Sequence, residues 1–104
     1  MTMRAAAAVA AILALAGCGG AKPQRHTVEL RDFGFVPASL TVQPGDSVTF
    51  VNHDAVPHTA TADDGSWDTG ELLANGTKTV AVKGAGGYKC VYHPVMKGAI
   101  ALAK

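Results

Sequence analysis

Two cysteines, one tryptophan and a charged fraction of 16% are all that this chain of 104 residues offers, and each scarcity excludes something. Two thiols cannot build the disulfide framework that staples many small exported domains. Nine Lys and Arg against eight Asp and Glu leave no basic face for nucleic acid, and no run of one sign interrupts the chain. No apolar stretch reaches the roughly 20 residues that a bilayer-spanning helix needs. From Thr27 onward no segment sustains the period of an amphipathic helix, so no helical bundle is expected. The length suits one domain, with no room for a second core.

What is present begins with an export signal. Arg4 supplies a positive start, and Ala5 to Ala16 form an apolar run of about twelve residues, the pattern of a signal segment rather than of folded structure. It ends in Leu15-Ala16-Gly17-Cys18, which resembles the lipobox of bacterial lipoproteins. The resemblance implies cleavage before Cys18, a diacylated Cys18 as the first mature residue, and attachment to a membrane by that lipid. An ordinary cleaved signal with a spare thiol is the alternative. The expected division is a signal peptide over 1–17, a lipid-anchored tether over 18–26 with Pro23 favouring an extended course, and a folded domain over 27–104. His26 falls in that tether. The expected location is the bacterial cell envelope, periplasmic or at the cell surface, as a membrane-anchored lipoprotein. Removing Arg4 from the nine basic residues leaves eight against eight acidic, a nearly neutral mature domain. A lipidated Cys18 cannot pair with Cys90, and an idle thiol is a liability in an oxidising compartment, so Cys90 needs an occupant.

The folded part reads as short alternating runs broken by turn residues. Val28 and Leu30, then Phe33 and Phe35, form a first pair region; Leu40 and Val42 alternate with polar neighbours; Val48 and Phe50 share one face. Pro44-Gly45-Asp46, Asp63-Asp64-Gly65-Ser66 and Ala74-Asn75-Gly76 punctuate them, and Ala99 to Ala103 is the last strand. The fold class is therefore all-β, an antiparallel sandwich of seven or eight short strands. Its expected core comprises Val28, Leu30, Phe35, Leu40, Val42, Val48, Phe50, Trp67, Leu72, Val80, Val82, Tyr88, Ile100 and Leu102.

The chemistry concentrates in Cys90-Val91-Tyr92-His93-Pro94-Val95-Met96, where a thiol, an imidazole and a thioether follow at three-residue intervals. Soft sulfur with imidazole selects copper, zinc or iron over magnesium or calcium. A second imidazole must come from elsewhere, and His58, at the start of a strand just after the tight Asp54-Ala55-Val56-Pro57 loop, is the best placed. Two His and one Cys with a distant Met make a type 1 copper site. Zinc shares part of this chemistry but rarely takes Met. A Cys–His nucleophile pair would lack an orienting third group and an oxyanion hole. Pro94 lacks an N–H and fixes its own φ, stiffening the loop. His53, in a turn, reads as solvated. Asp63 and Asp64 lack the further carboxylates of a calcium loop.

Residues 27–103 resemble the cupredoxins, the plastocyanin/azurin-like blue copper proteins, with Cys90, His93, Pro94 and Met96 spaced as in amicyanin. Pro44 to Asn52 followed by Val56-Pro57-His58 resembles that family's first-ligand region. The resemblance implies an eight-stranded Greek-key sandwich with one copper ion at one end, His58 isolated and His93 partly exposed. Two positions depart from the common pattern: Thr59 stands where many members carry the Asn that ties the ligand loops together, and Tyr92 where many carry Pro.

The expected function is one-electron transfer between transient redox partner proteins, by a monomer that is not an enzyme. Partners would dock where His93, Pro94, Val95, Val56 and Pro57 meet, with His93 as the electron's exit. An envelope copper buffer or delivery protein using the same ligands is the alternative, although the chain's three Met form no relay tract.

Overall fold

Residues 22–103 are described by the computed structural model; the expected signal segment, Cys18 and the tether as far as residue 21 lie outside the described residues. The chain forms β1 (Arg25–Arg31), β2 (Gly34–Val36), β3 (Ser39–Val42), β4 (Ser47–Asn52), β5 (Thr61–Ala62), β6 (Thr77–Ala81), β7 (Gly86–Lys89) and β8 (Lys97–Leu102). Among the described residues there is no helix. Two four-stranded sheets result, ordered β2-β1-β4-β6 and β3-β8-β7-β5. The connections β1–β2 and β7–β8 stay within a sheet and every other one crosses between sheets. The pairs β1–β4 and β3–β8 are parallel, so the expected sandwich is mixed rather than purely antiparallel. β4, which re-enters the first sheet after β3, lies beside β1 in the same direction, a pairing that two-residue hairpins cannot make.

Alternation decides which face is buried. In β4, Val48, Phe50 and Asn52 point inward, while Ser47, Thr49 and Val51 are only half-buried. Val28 and Leu30 of β1 join them, and Phe35, Val42, Leu72, Val82, Tyr88 and Ile100 complete most of the expected core. Leu40, Trp67, Val80 and Leu102 pack at its margin, and the small Ala60 belongs to its centre. Full burial of each large side chain contributes roughly 1.5–3 kcal/mol. Tyr88 is the aromatic hub: its ring centroid lies 4.7 Å from Phe35, 5.5 Å from Phe50 and 5.3 Å from Trp67. Gly98 on β8 leaves the space its phenol occupies, because a Cβ there would overlap that ring.

Three local readings change. His58 sits in an isolated bridge to Leu72 rather than in a regular strand. Phe33 does not share the buried face of Phe35; it lies in the β1–β2 turn with half its surface exposed. The first strand also begins earlier than the boundary at residue 27, because Arg25 and His26 pair with Ser47 and Val48.

Those early residues are fixed by a buried carboxylate. Asp46 follows the Pro44-Gly45 turn, where Gly45 takes φ +95°, and its side chain is 1% exposed. It accepts the N–H of Gln24 at 2.7 Å and of Gln43 at 2.9 Å, and pairs with His26 Nε2 at 2.8 Å. The Gln24 N–H first, then His26 and the Gln43 N–H, hold its pKa at about 2 against an ordinary 3.8. The unfolded chain therefore binds a proton here that the native state refuses, so stability falls as pH drops from about 4 towards 2. Urea titrations across that interval should show this loss, and Asp46→Asn should flatten the slope while lowering stability at neutral pH.

Candidate metal centre

β1 and β4 run in parallel, so the turn after β1 and the loop after β4 emerge at the same end of the sandwich, where the β7–β8 loop meets them. That last loop is built by two successive tight turns. The His93 N–H donates to the Cys90 carbonyl at 3.2 Å, the Met96 N–H to the His93 carbonyl at 2.8 Å, and the Cys90 N–H to the Met96 carbonyl at 3.2 Å. Two i-to-i+3 turns in sequence explain why the chemistry recurs every three residues. Cys90 and Met96 are buried, and His93 is half-buried.

His58 arrives from the other side. It is 0% exposed, and its backbone is fixed by paired hydrogen bonds with Leu72 at 3.1 and 2.7 Å. Its Nδ1 lies 3.7 Å from the Cys90 sulfur, and the His93 Nδ1 lies at the same distance from that sulfur. The three candidate ligand atoms all fall within 4.8 Å of one another. The two imidazole centroids are 5.1 Å apart. The structure thus brings together His58, Cys90 and His93, with Met96 buried in the same loop. His26 and His53 stay outside this group: His26 joins Asp46, and His53 Nε2 lies 4.0 Å from Glu29.

The donor set fits copper. A buried thiol between two imidazole nitrogens, with a thioether nearby, offers soft and borderline ligands and no carboxylate. Cys90 is the free cysteine of the described residues, and its sulfur accepts the Thr59 N–H at 3.3 Å. Thr59 also takes over the linking role of the usual Asn. Its hydroxyl accepts the Val91 N–H at 3.0 Å and bonds to the Thr61 hydroxyl at 3.0 Å, so the His58 and Cys90 segments are bridged twice by one residue. Tyr92, in place of Pro, is about half exposed beside His93. Val56, Pro57, Glu71, Tyr92 and His93 line a shallow depression there.

Two residues that sequence reading passed over hold the His58 side. Asn52, fully buried, donates its side-chain amide to the carbonyls of Val56 and Leu72, both at 2.9 Å, and accepts the Asp54 N–H at 2.9 Å. Asp54 Oδ2 lies 2.8 Å from His58 Nε2. With Nε2 donating to this carboxylate, the Nδ1 lone pair is left facing the Cys90 sulfur. Burial pushes the Asp54 carboxyl up, but the Phe33 N–H, His58 and the Asp32 N–H together outweigh it and keep it below the usual range. A polar residue closing an alternating strand and an acid four positions before a His were the available signals.

Comparison with known proteins agrees with this geometry. A family model for copper-binding proteins of the plastocyanin/azurin family matches residues 24–103. An amicyanin mutant in its Cu(I) form superposes with a TM-score of 0.69 at 21% identity, over 76% of this chain and 82% of that one. A purple cupredoxin from Nitrosopumilus maritimus does so at 0.67 and 19% identity, over 75% and 99%. A copper-containing nitrite reductase from Thermus scotoductus matches at 0.68 and 26% identity over 81% of this chain, which spans only 23% of that protein. A search of curated proteins finds no match.

Thr59→Val keeps the side chain's shape and the N–H to sulfur but removes the acceptor of the Val91 N–H. It should cost about 1–2 kcal/mol in chemical denaturation and speed Val91 amide exchange, because a formerly paired donor is orphaned.

Proposed function

The chain belongs to the plastocyanin/azurin family of copper-binding proteins, and on that premise we propose that it is a type 1 copper electron carrier serving transient redox partners in the bacterial cell envelope. One observation supports this reading above the others: the ligand atoms of His58, Cys90 and His93 lie within 4.8 Å of one another, supplied by rigid turns rather than loose loops. Copper, when bound, supplies a single-electron couple between Cu(II) and Cu(I). The protein's residues keep the donors in one arrangement for both states. His58 is held by Asp54 and by Leu72 backbone, Cys90 by Thr59, and His93 and Met96 by successive turns. An arrangement that is already assembled and buried suits fast electron exchange better than uptake and release of the ion, and so favours a carrier over a copper buffer or delivery protein.

The protein is proposed not to be an enzyme, the shallow depression beside His93 serving as contact surface. The surface around it is apolar. Val56, Tyr92 and Val95 are exposed, Val95 at 89%, beside Pro57, Pro94 and the half-buried His93 ring. Apolar contact with few charges allows quick association and quick release, as a carrier needs. Docking there, by a monomer, places a partner against the His93 edge. Export, a diacylated Cys18 and a membrane-held tether complete the proposal; they rest on the signal-like run and the Leu15-Ala16-Gly17-Cys18 motif.

Loading the purified protein with Cu(II) should give an intense visible thiolate-to-copper charge-transfer band. Cys90→Ser should abolish it, His58→Ala should weaken or shift it, and a folded, copper-loaded protein without the band would end the carrier reading. In a bacterial host, the mature protein should begin at a diacylated Cys18 by mass spectrometry and follow the membrane fraction. Release of Cys18→Ala into the soluble fraction is the matching outcome; a soluble, unlipidated wild type would refute the anchor.

A further inference from the structure

The β1–β2 turn consists of Asp32 and Phe33 between the paired residues Arg31 and Gly34. Both turn residues have positive φ, +53° and +58°. A two-residue hairpin loop of this hand usually recruits Asn and Gly, and a bulky Phe in left-handed conformation is strained. Such strain persists only where the surroundings over-determine it, and it gathers at functional sites. Here the surroundings are one side chain. Asp54 Oδ1 accepts the Asp32 N–H at 2.7 Å, and Oδ2 accepts the Phe33 N–H at 2.9 Å. The same Oδ2 is the partner of His58 Nε2 at 2.8 Å.

The result of that strain is specific. The Phe33 ring stands edge-on to both ligand imidazoles, 5.2 Å from His58 and 4.9 Å from His93, each at 82°. Phe33 keeps 51% of its surface exposed, so hydrophobic burial does not explain its position. An ordinary turn would have pointed a small polar residue into solvent. This one spends conformational strain to press an aromatic ring against two histidines that come from different segments.

We propose that Asp54 and Phe33 act as a single positioning unit for the metal centre: the carboxylate locks the Asp32–Phe33 turn and the His58 ring to each other, and the Phe33 ring, held in this way, braces His58 and His93 in ligating orientation and screens them from water. Neither residue is a ligand. Asp54 fixes the rotation of His58, and Phe33 limits the swing of His93, whose own loop leaves it half open. Every contact within the unit is made between protein groups. This inference deepens the copper reading above in its binding consequence, whereas its structural half stands on the apoprotein.

The test uses Phe33→Ala, Asp54→Ala, the double variant and Asp54→Asn in the whole protein, with Cu(II) affinity measured by competition against a chelator of known strength. Each single substitution should lower affinity about 10-fold, the typical effect of losing a group that orients a ligand. The double variant should lose no more than the worse single one, because the two residues act through one device. Asp54→Asn keeps an acceptor for His58 but turns an amide donor towards one turn N–H, and should therefore match Phe33→Ala. In apoprotein NMR, the His58 Nε2 proton should be protected in the wild type and in Phe33→Ala, and exposed in Asp54→Ala. If Asp54→Ala does not fold, which thermal unfolding will reveal, Phe33→Ala and Asp54→Asn carry the comparison, since Phe33 is on the surface. Unchanged affinity in Phe33→Ala, or losses that add in the double variant, would overturn the unit. Wild-type protein that binds no copper would instead overturn the parent reading.

Discussion

Three ligand atoms from two segments, 32 residues apart between His58 and Cys90, must meet at one end of the sandwich. That constraint governs the rest of the molecule. Bringing a thiol and two imidazoles out of water has a cost unless each polar atom finds a partner. The structure meets this with backbone donors rather than with further charges. The Thr59 N–H serves the Cys90 sulfur, the Thr59 hydroxyl serves the opposite loop, and Leu72 fixes the His58 backbone on both sides. Asp54 brings a formal charge to the side of His58, and it is met by two N–H groups and the His58 ring.

The sandwich supplies the stiffness those bonds presuppose. Each ligand-bearing segment is a continuation of paired backbone: Cys90 follows β7 directly, Met96 precedes β8 directly, and the segment of His58 is clamped to that of Leu72. The aromatic group of Phe35, Phe50, Trp67 and Tyr88 ties the two sheets together, with edge-to-face contacts among Phe35, Phe50 and Tyr88 and with Trp67 stacked on Phe50. A core of this kind leaves little room for compensating shifts, so a change at the metal end is transmitted as strain rather than absorbed.

Much of this was legible in the sequence, for reasons that can be named. The β content followed from period-two alternation in stretches such as Val48 to Asn52, and the ligand loop from three chemically distinct donors at equal spacing. His58 was recoverable because it follows the tight Asp54-Ala55-Val56-Pro57 loop and opens the next extended run. The core followed from the same alternation, apart from Ala60, too small to stand out, and Cys90 and Met96, which were read as ligands. What stayed hidden involved partnerships without periodicity. Asp54 and Asn52 look like ordinary turn residues until the fold sets them against His58 and Val56. His26 looked like part of a tether because nothing local shows that Asp46, 20 residues on, will pin it. Phe33 looked like a strand residue because its alternation with Phe35 is what a strand would show; positive φ cannot be seen in a string of letters. The parallel pairing of β1 with β4 is likewise a property of topology and not of either strand.

The course of β1 has one more consequence. It enters beside Asp46 and runs seven residues to the Asp32–Phe33 turn, a span of about 20 Å at the rise of an extended chain. The strand therefore starts at the end of the sandwich opposite His58 and His93, where Asp46 holds Gln24 and His26. The first described residues thus leave the surface around His93 uncovered, with the length of a strand between the two.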